Sequence, residues 1–250
     1  MTCVATKVGD KTDQYYELIA QRLGDRKHQR LRHQMDFQYQ GIDFRGRTVL
    51  DIGGGNGVHS FYAAARGARQ VVTLEPELDG STTGVLAQFK EWKRELGADE
   101  VGLVISTFQD YEPAGAQFDV VIIQDAINHL DEEACVTLGK VPESEARYRK
   151  IFRKLADVSS PGATLLFSDC SSQNVFPLLG RRNPFDPAIE WEKHQPPSRW
   201  IRMLEDEGFA LKSKRWSTPT SLGRGAQALL GNSFLTYFYT SHFVVQMAKR

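Results

Sequence analysis

Val49-Leu50-Asp51-Ile52-Gly53-Gly54-Gly55-Asn56-Gly57 is an apolar run that breaks into a glycine-dense turn, and Glu75 closes the next apolar run. An apolar run entering glycines in this way is a strand, then a turn, then a helix. The glycines let backbone approach a ligand where a side chain would intrude. Glu75 stands 20 residues after Gly55, where an acid at a strand tip accepts both hydroxyls of a ribose. The pattern predicts a nucleoside-containing cofactor.

The identity of that nucleoside decides the function. A dinucleotide fingerprint needs G-x-G-x-x-G, with a diphosphate on the helix amides. Here the glycines are Gly53, Gly55 and Gly57, and Val58 stands where the last fingerprint glycine would fall. Asp51 precedes the first glycine by two residues. A carboxylate there repels a diphosphate and attracts an ammonium group. S-adenosylmethionine carries an ammonium, a sulfonium and a ribose, and no phosphate. The spacing D-x-G-x-G-x-G resembles motif I of the class I S-adenosylmethionine-dependent methyltransferases, and the resemblance runs from about residue 45 to 170. Within that superfamily the chain resembles small-molecule O-methyltransferases of the natural-product and ubiquinone type. A glycine turn with a structural Asp, or a dinucleotide enzyme, are the competing readings.

Bulk properties bound the problem. A chain of 250 residues with 41% hydrophobic content supports a real core in a single elaborated domain. Lys plus Arg and Asp plus Glu balance at 31 each, so no global field favours nucleic acid or an anionic membrane. Cys3, Cys135 and Cys170 are widely spaced and form no C-x-x-C, which argues against a disulfide frame or zinc cluster. No signal-peptide core and no 18-residue apolar run is present. The expectation is a soluble, cytoplasmic monomer or homodimer with a small-molecule acceptor and no nucleic-acid or membrane partner.

From Arg47 onward strand and helix patterns alternate. Strands are expected at 47–52, 70–75, 101–106, 118–124 and 163–168, with helices at 56–66, 82–96 and 143–157. Val120 to Ile123 is continuously apolar, as in a strand buried on both faces. Upstream, residues 1–11 read as a loose start, 12–24 as a helix stopped by Gly24, and the basic stretch 25–34 as a solvated face. Downstream, 170–197 is rich in proline and aromatics, a helix at 198–207 follows, and strands fall at 209–216 and about 240–248. The fold class is α/β. The resemblance implies a Rossmann-like, seven-stranded, mostly parallel sheet with helices on both faces and an antiparallel last strand. It also implies an N-terminal helix and cover insertions. The whole chain, 1–250, is then one methyltransferase domain: an N-terminal helical cap (1–44), a cofactor-binding core (45–169), and acceptor-pocket covers at 170–197 and 217–239.

The resemblance carries roles onto residues. The cofactor is S-adenosyl-L-methionine and the product S-adenosyl-L-homocysteine. Asp51 would face the methionine end, with Gly53, Gly55 and Asn56 in the close-approach turn and Glu75 at the ribose. After the third strand, Thr107 replaces the Asp usual in the family. Phe108 would then pack on the adenine, or be core filling, and Gln109 would substitute as the polar partner. Gln124 and Asp125 would stand at the tip of the fourth strand near the sulfur. His129 would be general base with Asp169 as its carboxylate partner; packing or backbone bonding is the alternative for His129. A neutral imidazole suits that task at neutral pH, and a carboxylate fixes its tautomer. His194 is an alternative base. Tyr15, Tyr16, Trp191, His194, Trp200, Phe234 and Tyr237 are candidate walls of the acceptor pocket, with core packing as the alternative. Arg181, Arg182 and Arg224 are candidates for an acidic acceptor. Asp125, His129 and Asp169 would also suit a divalent metal, but no close carboxylate cluster marks one, and none is assigned. The rival functions are small-molecule N-methylation and a non-catalytic S-adenosylmethionine-binding protein.

Overall fold

A computed structural model describes residues 8–24, 28–77, 84–218 and 223–250. The chain divides into two compact units, Met1–Tyr111 and Glu112–Arg250. The first contains α1 (Val8–Arg22), α2 (Gln29–Gln38), β1 (Thr48–Ile52), α3 (Val58–Ala65), β2 (Gln70–Leu74), α4 (Val85–Leu96) and β3 (Val101–Val104). The second contains β4 (Phe118–Gln124), α5 (Glu132–Thr137), α6 (Pro142–Asp157), β5 (Ser159–Cys170), α7 (Val175–Leu178), α8 (Pro197–Asp206), β6 (Phe209–Trp216), α9 (Gly223–Leu230), α10 (Ser233–Thr236) and β7 (His242–Lys249). The strand order is β3-β2-β1 in the first unit and β4-β5-β7-β6 in the second. Pairings β1–β2, β2–β3 and β4–β5 are parallel, whereas β7 runs antiparallel to both β5 and β6.

In the first unit every residue of β1 is buried, Thr48 and Asp51 included. Gly97 ends α4 in the left-handed conformation, and its neighbourhood recaptures the last helical carbonyls. The two N-terminal helices are pinned by rings. Tyr62 stacks on Tyr39 at 4.9 Å and meets Tyr15 edge-on at 5.6 Å. The Tyr15 hydroxyl donates to the Val58 carbonyl at 3.0 Å. Residues 25–27 of the basic stretch lie outside the described residues; residues 29–34 open helix α2, in which Leu31, Met35 and Gln38 are buried. Their i, i+4, i+7 spacing is an amphipathic stripe hidden among cationic residues. Arg32 lies over the Tyr16 ring at 4.1 Å, so part of the positive charge is spent on packing. Helix α1 starts at Val8, earlier than residue 12.

In the second unit, Pro142 sits in the first turn of α6, where its missing N–H costs nothing. The Tyr148 hydroxyl donates toward the carbonyls of Ile127, Asn128 and Asp131 at 3.1, 3.0 and 3.3 Å. Strand β5 begins earlier than the expected residue 163 because its pairing is interrupted. Ser159 faces Phe118 but Thr164 faces Val120, so residues 160–163, with Pro161 and Gly162, bulge out. The 217–239 insert holds α9 and α10. Among the described residues no helix is long and apolar enough to cross a membrane.

Gly57 is the tightest backbone requirement of the first unit. Its φ is 86°, and an added Cβ would fall 2.6 Å from both Phe61 and Phe89. Gly57→Ala should therefore cost about 2–4 kcal/mol of stability, read by chemical denaturation. A loss within about 0.5 kcal/mol of zero would refute this packing.

Candidate functional site

The glycine turn of the first unit is built around two acids. Glu75, nearly buried just beyond β2, accepts the Gly55 N–H at 2.9 Å and the Glu77 N–H at 2.9 Å. It therefore braces the turn, and a carboxylate keeps lone pairs beyond these two for ligand hydroxyls. Asp51 is fully buried. Its Oδ2 accepts from the Ser60 hydroxyl at 2.6 Å, and that hydroxyl lies 2.6 Å from Thr73 Oγ1. Asp51 Oδ1 has no hydrogen-bond partner. Burial raises the Asp51 carboxyl to about 6, the Ser60 bond opposes this, and the charge of Glu75 adds to it. Over Gly55 an added Cβ would meet nothing within 4 Å. A bare buried carboxylate oxygen and open space over a left-handed glycine fit an ammonium-bearing nucleoside cofactor.

The remaining expected cofactor residues of this unit are engaged locally. The Asn56 amide donates to Gln88 Oε1 at 3.2 Å. The Thr107 hydroxyl donates to Asp110 Oδ2 at 2.7 Å and accepts the Asp110 N–H, an N-cap-like turn. Phe108 is buried at 2% exposure, and Gln109 is exposed. Tyr15 and Tyr16, expected at the acceptor, are core residues at 0% and 2% exposure. Burial pushes both hydroxyls up from their ordinary range.

The second unit gathers its polar groups at the carboxyl end of β5. Asp169 is 2% exposed. Its Oδ1 meets His194 Nδ1 at 2.8 Å and the Cys170 N–H at 2.7 Å, while Oδ2 has no partner. Burial raises the Asp169 carboxyl and the His194 contact opposes that rise. His129 is elsewhere. Half-exposed, it bonds Glu132 through Nδ1 at 2.5 Å, three residues along its own turn. The expected His129–Asp169 pair is thus not formed. A local carboxylate captures His129, and Asp169 takes a histidine 25 residues downstream.

The segment bearing His194 is fixed by its flanks. The Cys135 thiol donates to the Lys193 carbonyl at 3.0 Å, and Gln195 Nε2 donates to the Cys135 carbonyl at 2.6 Å. Burial pushes that thiol up to about 12, so it is an inert core group. Trp191 keeps a buried indole N–H without a partner, and so does Trp200, which is wholly buried against Tyr148 and is core rather than pocket wall. Gln124 is buried with neither side-chain amide atom satisfied. Asp125, at φ 51°, holds His242 Nε2 at 2.8 Å and accepts from the Ser168 hydroxyl at 2.7 Å. Tyr237 is half-buried against Phe238, and Phe234 is exposed. Arg181 and Arg182 are exposed; the Arg224 side chain lies outside the described set. Ser217, Ser168 and His242 carried no sequence signal, because only strand pairing brings them together. Among the described residues no group of three or more His, Cys, Asp or Glu side chains is placed to hold a metal.

Residues 49–141 match the family model of a methyltransferase domain. The stretch that carries the glycine turn is thus similar to a methyltransferase domain. A tRNA U34 carboxymethyltransferase from Marinobacter nauticus is 33% identical over 87 residues, 35% of this chain and 25% of the relative. The chain thus spans about a quarter of the length of the curated relatives it matches. Among solved structures it is similar to an S-adenosylmethionine dependent methyltransferase from Mesorhizobium loti, with TM-score 0.57, 18% identity, and coverage of 83% of this chain and 93% of that one. The [4+2]-cyclase SpnF shares the fold at TM-score 0.59 and 13% identity, with coverage of 98% and 97%. Likeness at these identities speaks for the fold, and chemistry must be argued from residues.

An ammonium group beside Asp51 favours its carboxylate, so ligand affinity is linked to its protonation. With the carboxyl at about 6, S-adenosylmethionine should bind progressively weaker as pH falls through that value, approaching about tenfold per pH unit below it. Asp51→Asn should bind at least about tenfold weaker and lose the pH step. Calorimetric titration from pH 5 to 7.5 reads both; a flat wild-type profile would contradict the assignment.

Proposed function

We propose that this chain methylates a hydroxyl of a small-molecule acceptor, with His194 as general base and Asp169 as its positioning partner. The observation that carries this reading is the 2.8 Å contact between His194 Nδ1 and a carboxylate that is 2% exposed. When bound, S-adenosylmethionine supplies a methyl group on a positively charged sulfur that departs as a neutral thioether, so the leaving group needs no acid.

The protein must then orient the acceptor and take its proton. Asp169 accepts from Nδ1, which fixes the tautomer with the Nε2 lone pair free to accept. As Nε2 takes the acceptor proton, the imidazolium is stabilised by the carboxylate at Nδ1. His194 is 13% exposed in its side chain, which limits water around the proton transfer. In the first unit, Asp51, Gly53, Gly55, Asn56 and Glu75 are assigned to the cofactor, with Thr107, Phe108 and Gln109 toward its adenine. In the second, Trp191 and Tyr237 remain acceptor candidates, as does Arg224, whose side chain lies outside the described set. His129 is assigned a structural part with Glu132.

The relatives named for tRNA modification suggest a polynucleotide acceptor. The match spans too little of them to bring their acceptor along, and equal totals of 31 basic and 31 acidic residues offer a polyanion no net attraction. An N-methylation reading differs in needing little base catalysis.

The test is an acceptor screen with methyl-labelled cofactor, followed by variants. His194→Ala should lower kcat by about a hundredfold or more with cofactor affinity nearly unchanged. Asp169→Asn should lower kcat and shift its acid limb. His129→Ala should retain most of the turnover. Full loss in His129→Ala with a mild effect in His194→Ala would reverse the assignment, and a flat pH profile insensitive to His194 would favour the amine acceptor.

A further inference from the structure

The end of β5 carries a second histidine–carboxylate pair. His242 faces Cys170 across the β5–β7 ladder. Its Nε2 lies 2.8 Å from Asp125 Oδ1 and its Nδ1 2.9 Å from Ser217 Oγ. Asp125 is held in its left-handed conformation by Ser168, whose carbonyl accepts the Asp125 N–H at 3.1 Å. Its side chain is nonetheless 59% exposed. Asp169 immediately precedes Cys170 and keeps its buried, unpartnered Oδ2.

Asp186 is drawn toward the same edge. Asn183 donates to the Tyr239 carbonyl at 3.0 Å, the Phe185 ring lies 5.2 Å from the Tyr239 ring, and Asn174 donates to Ser241 Oγ at 2.8 Å, one residue before His242. Burial raises the Cys170 thiol, and the charges that raise it further are Asp169, Asp125 and Asp186. Burial would lower His242, but the same three acids outweigh it and raise that imidazole. A separate observation points to a ligand here. Gln124 is 8% exposed with both amide atoms unsatisfied. It pairs in register with Ser168, so strand alternation puts it on the sheet face of Cys170 and His242.

We propose that the Asp125 edge beside Cys170 is a subsite for the ammonium group of a small acceptor. An ammonium brings three donors and no acceptor. They match the unsatisfied Gln124 Oε1 and the exposed carboxylate of Asp125. The same edge repels carboxylate and phosphate groups. The word acceptor rests on the methyl-transfer reading above; the charge selectivity does not, and it is read without turnover.

Cys170 is the reporter. It is partly accessible, Cys135 is fully buried, and Cys3→Ser removes the remaining thiol. Labelling is timed by mass spectrometry with two methanethiosulfonates of similar size, one bearing trimethylammonium and one sulfonate. Rates are normalised to those of a small free thiol. The cationic reagent should label Cys170 at least about tenfold faster. Asp125→Asn and, independently, Asp186→Asn should each reduce that preference at least about twofold, and Cys170→Ser should abolish labelling. Equal rates, a faster sulfonate, or a Cys170 unreactive to both overturns the proposal. Absence of methyl transfer with the charge preference intact overturns the function and leaves the subsite standing.

Discussion

Asp169 stands almost wholly buried near the end of a strand whose preceding residues are apolar, and its charge is tolerated because His194 and the Cys170 N–H meet one oxygen. Burying a carboxylate unpaired would cost several kcal/mol or force its protonation. That single requirement organises much of the second unit. His194 reaches Asp169 only if residues 191–195 are held, and Cys135 and Gln195 hold them. Gln195 Oε1 in turn accepts from Arg199, which also donates to the Leu138 carbonyl. Gly139 makes room for that guanidinium, since a Cβ there would lie 2.5 Å from it. By contrast, the half-exposed pairs of Lys193 with Glu132 and Glu190 contribute about 0–1 kcal/mol each and decide little.

Asp51 faces the same constraint with a different remedy. It has a hydroxyl rather than an imidazole, so its charge is only partly compensated and its carboxyl rises to about 6. Both acids keep one oxygen bare inside the protein. Native structures leave few buried polar atoms unsatisfied, and these two stand where a strand gives way to a turn or to the strand's last residue. In the function proposed above, the bare oxygen of Asp51 is assigned to the cofactor, and Asp169 acts through His194.

The regular core was legible because its residues obey local rules. Strands β4 and β6 fall where the apolar run and the alternation predicted, at Phe118–Gln124 and Phe209–Trp216. The match to a methyltransferase domain was legible from Asp51 and three glycines. Helix α2 was not, because arginines and histidines mask the Leu31–Met35 stripe. The β5 start was not, because Pro161 and Gly162 signal a break where the strand only bulges. The tyrosines of α1 read equally well as pocket or core, and burial assigns Tyr15 and Tyr16 to the core.

The histidines show why the site was harder to read than the fold. His129 lies in the motif-like position, yet Glu132 on the next turn is the nearest carboxylate in sequence and takes it. A partner three residues away needs no tertiary structure, so local capture wins unless burial excludes it. His194 carries no motif, and its partner is fixed only after β5, α5 and α8 have packed. Similar architecture also hosts a [4+2]-cyclase, so the sheet specifies where chemistry happens and not which chemistry. Two long-range pairs stand at the β5 terminus, Asp169 with His194 and Asp125 with His242. The proposed proton transfer needs an imidazole that keeps a nitrogen uncommitted. His242 spends both on Asp125 and Ser217, whereas His194 spends only Nδ1 on protein.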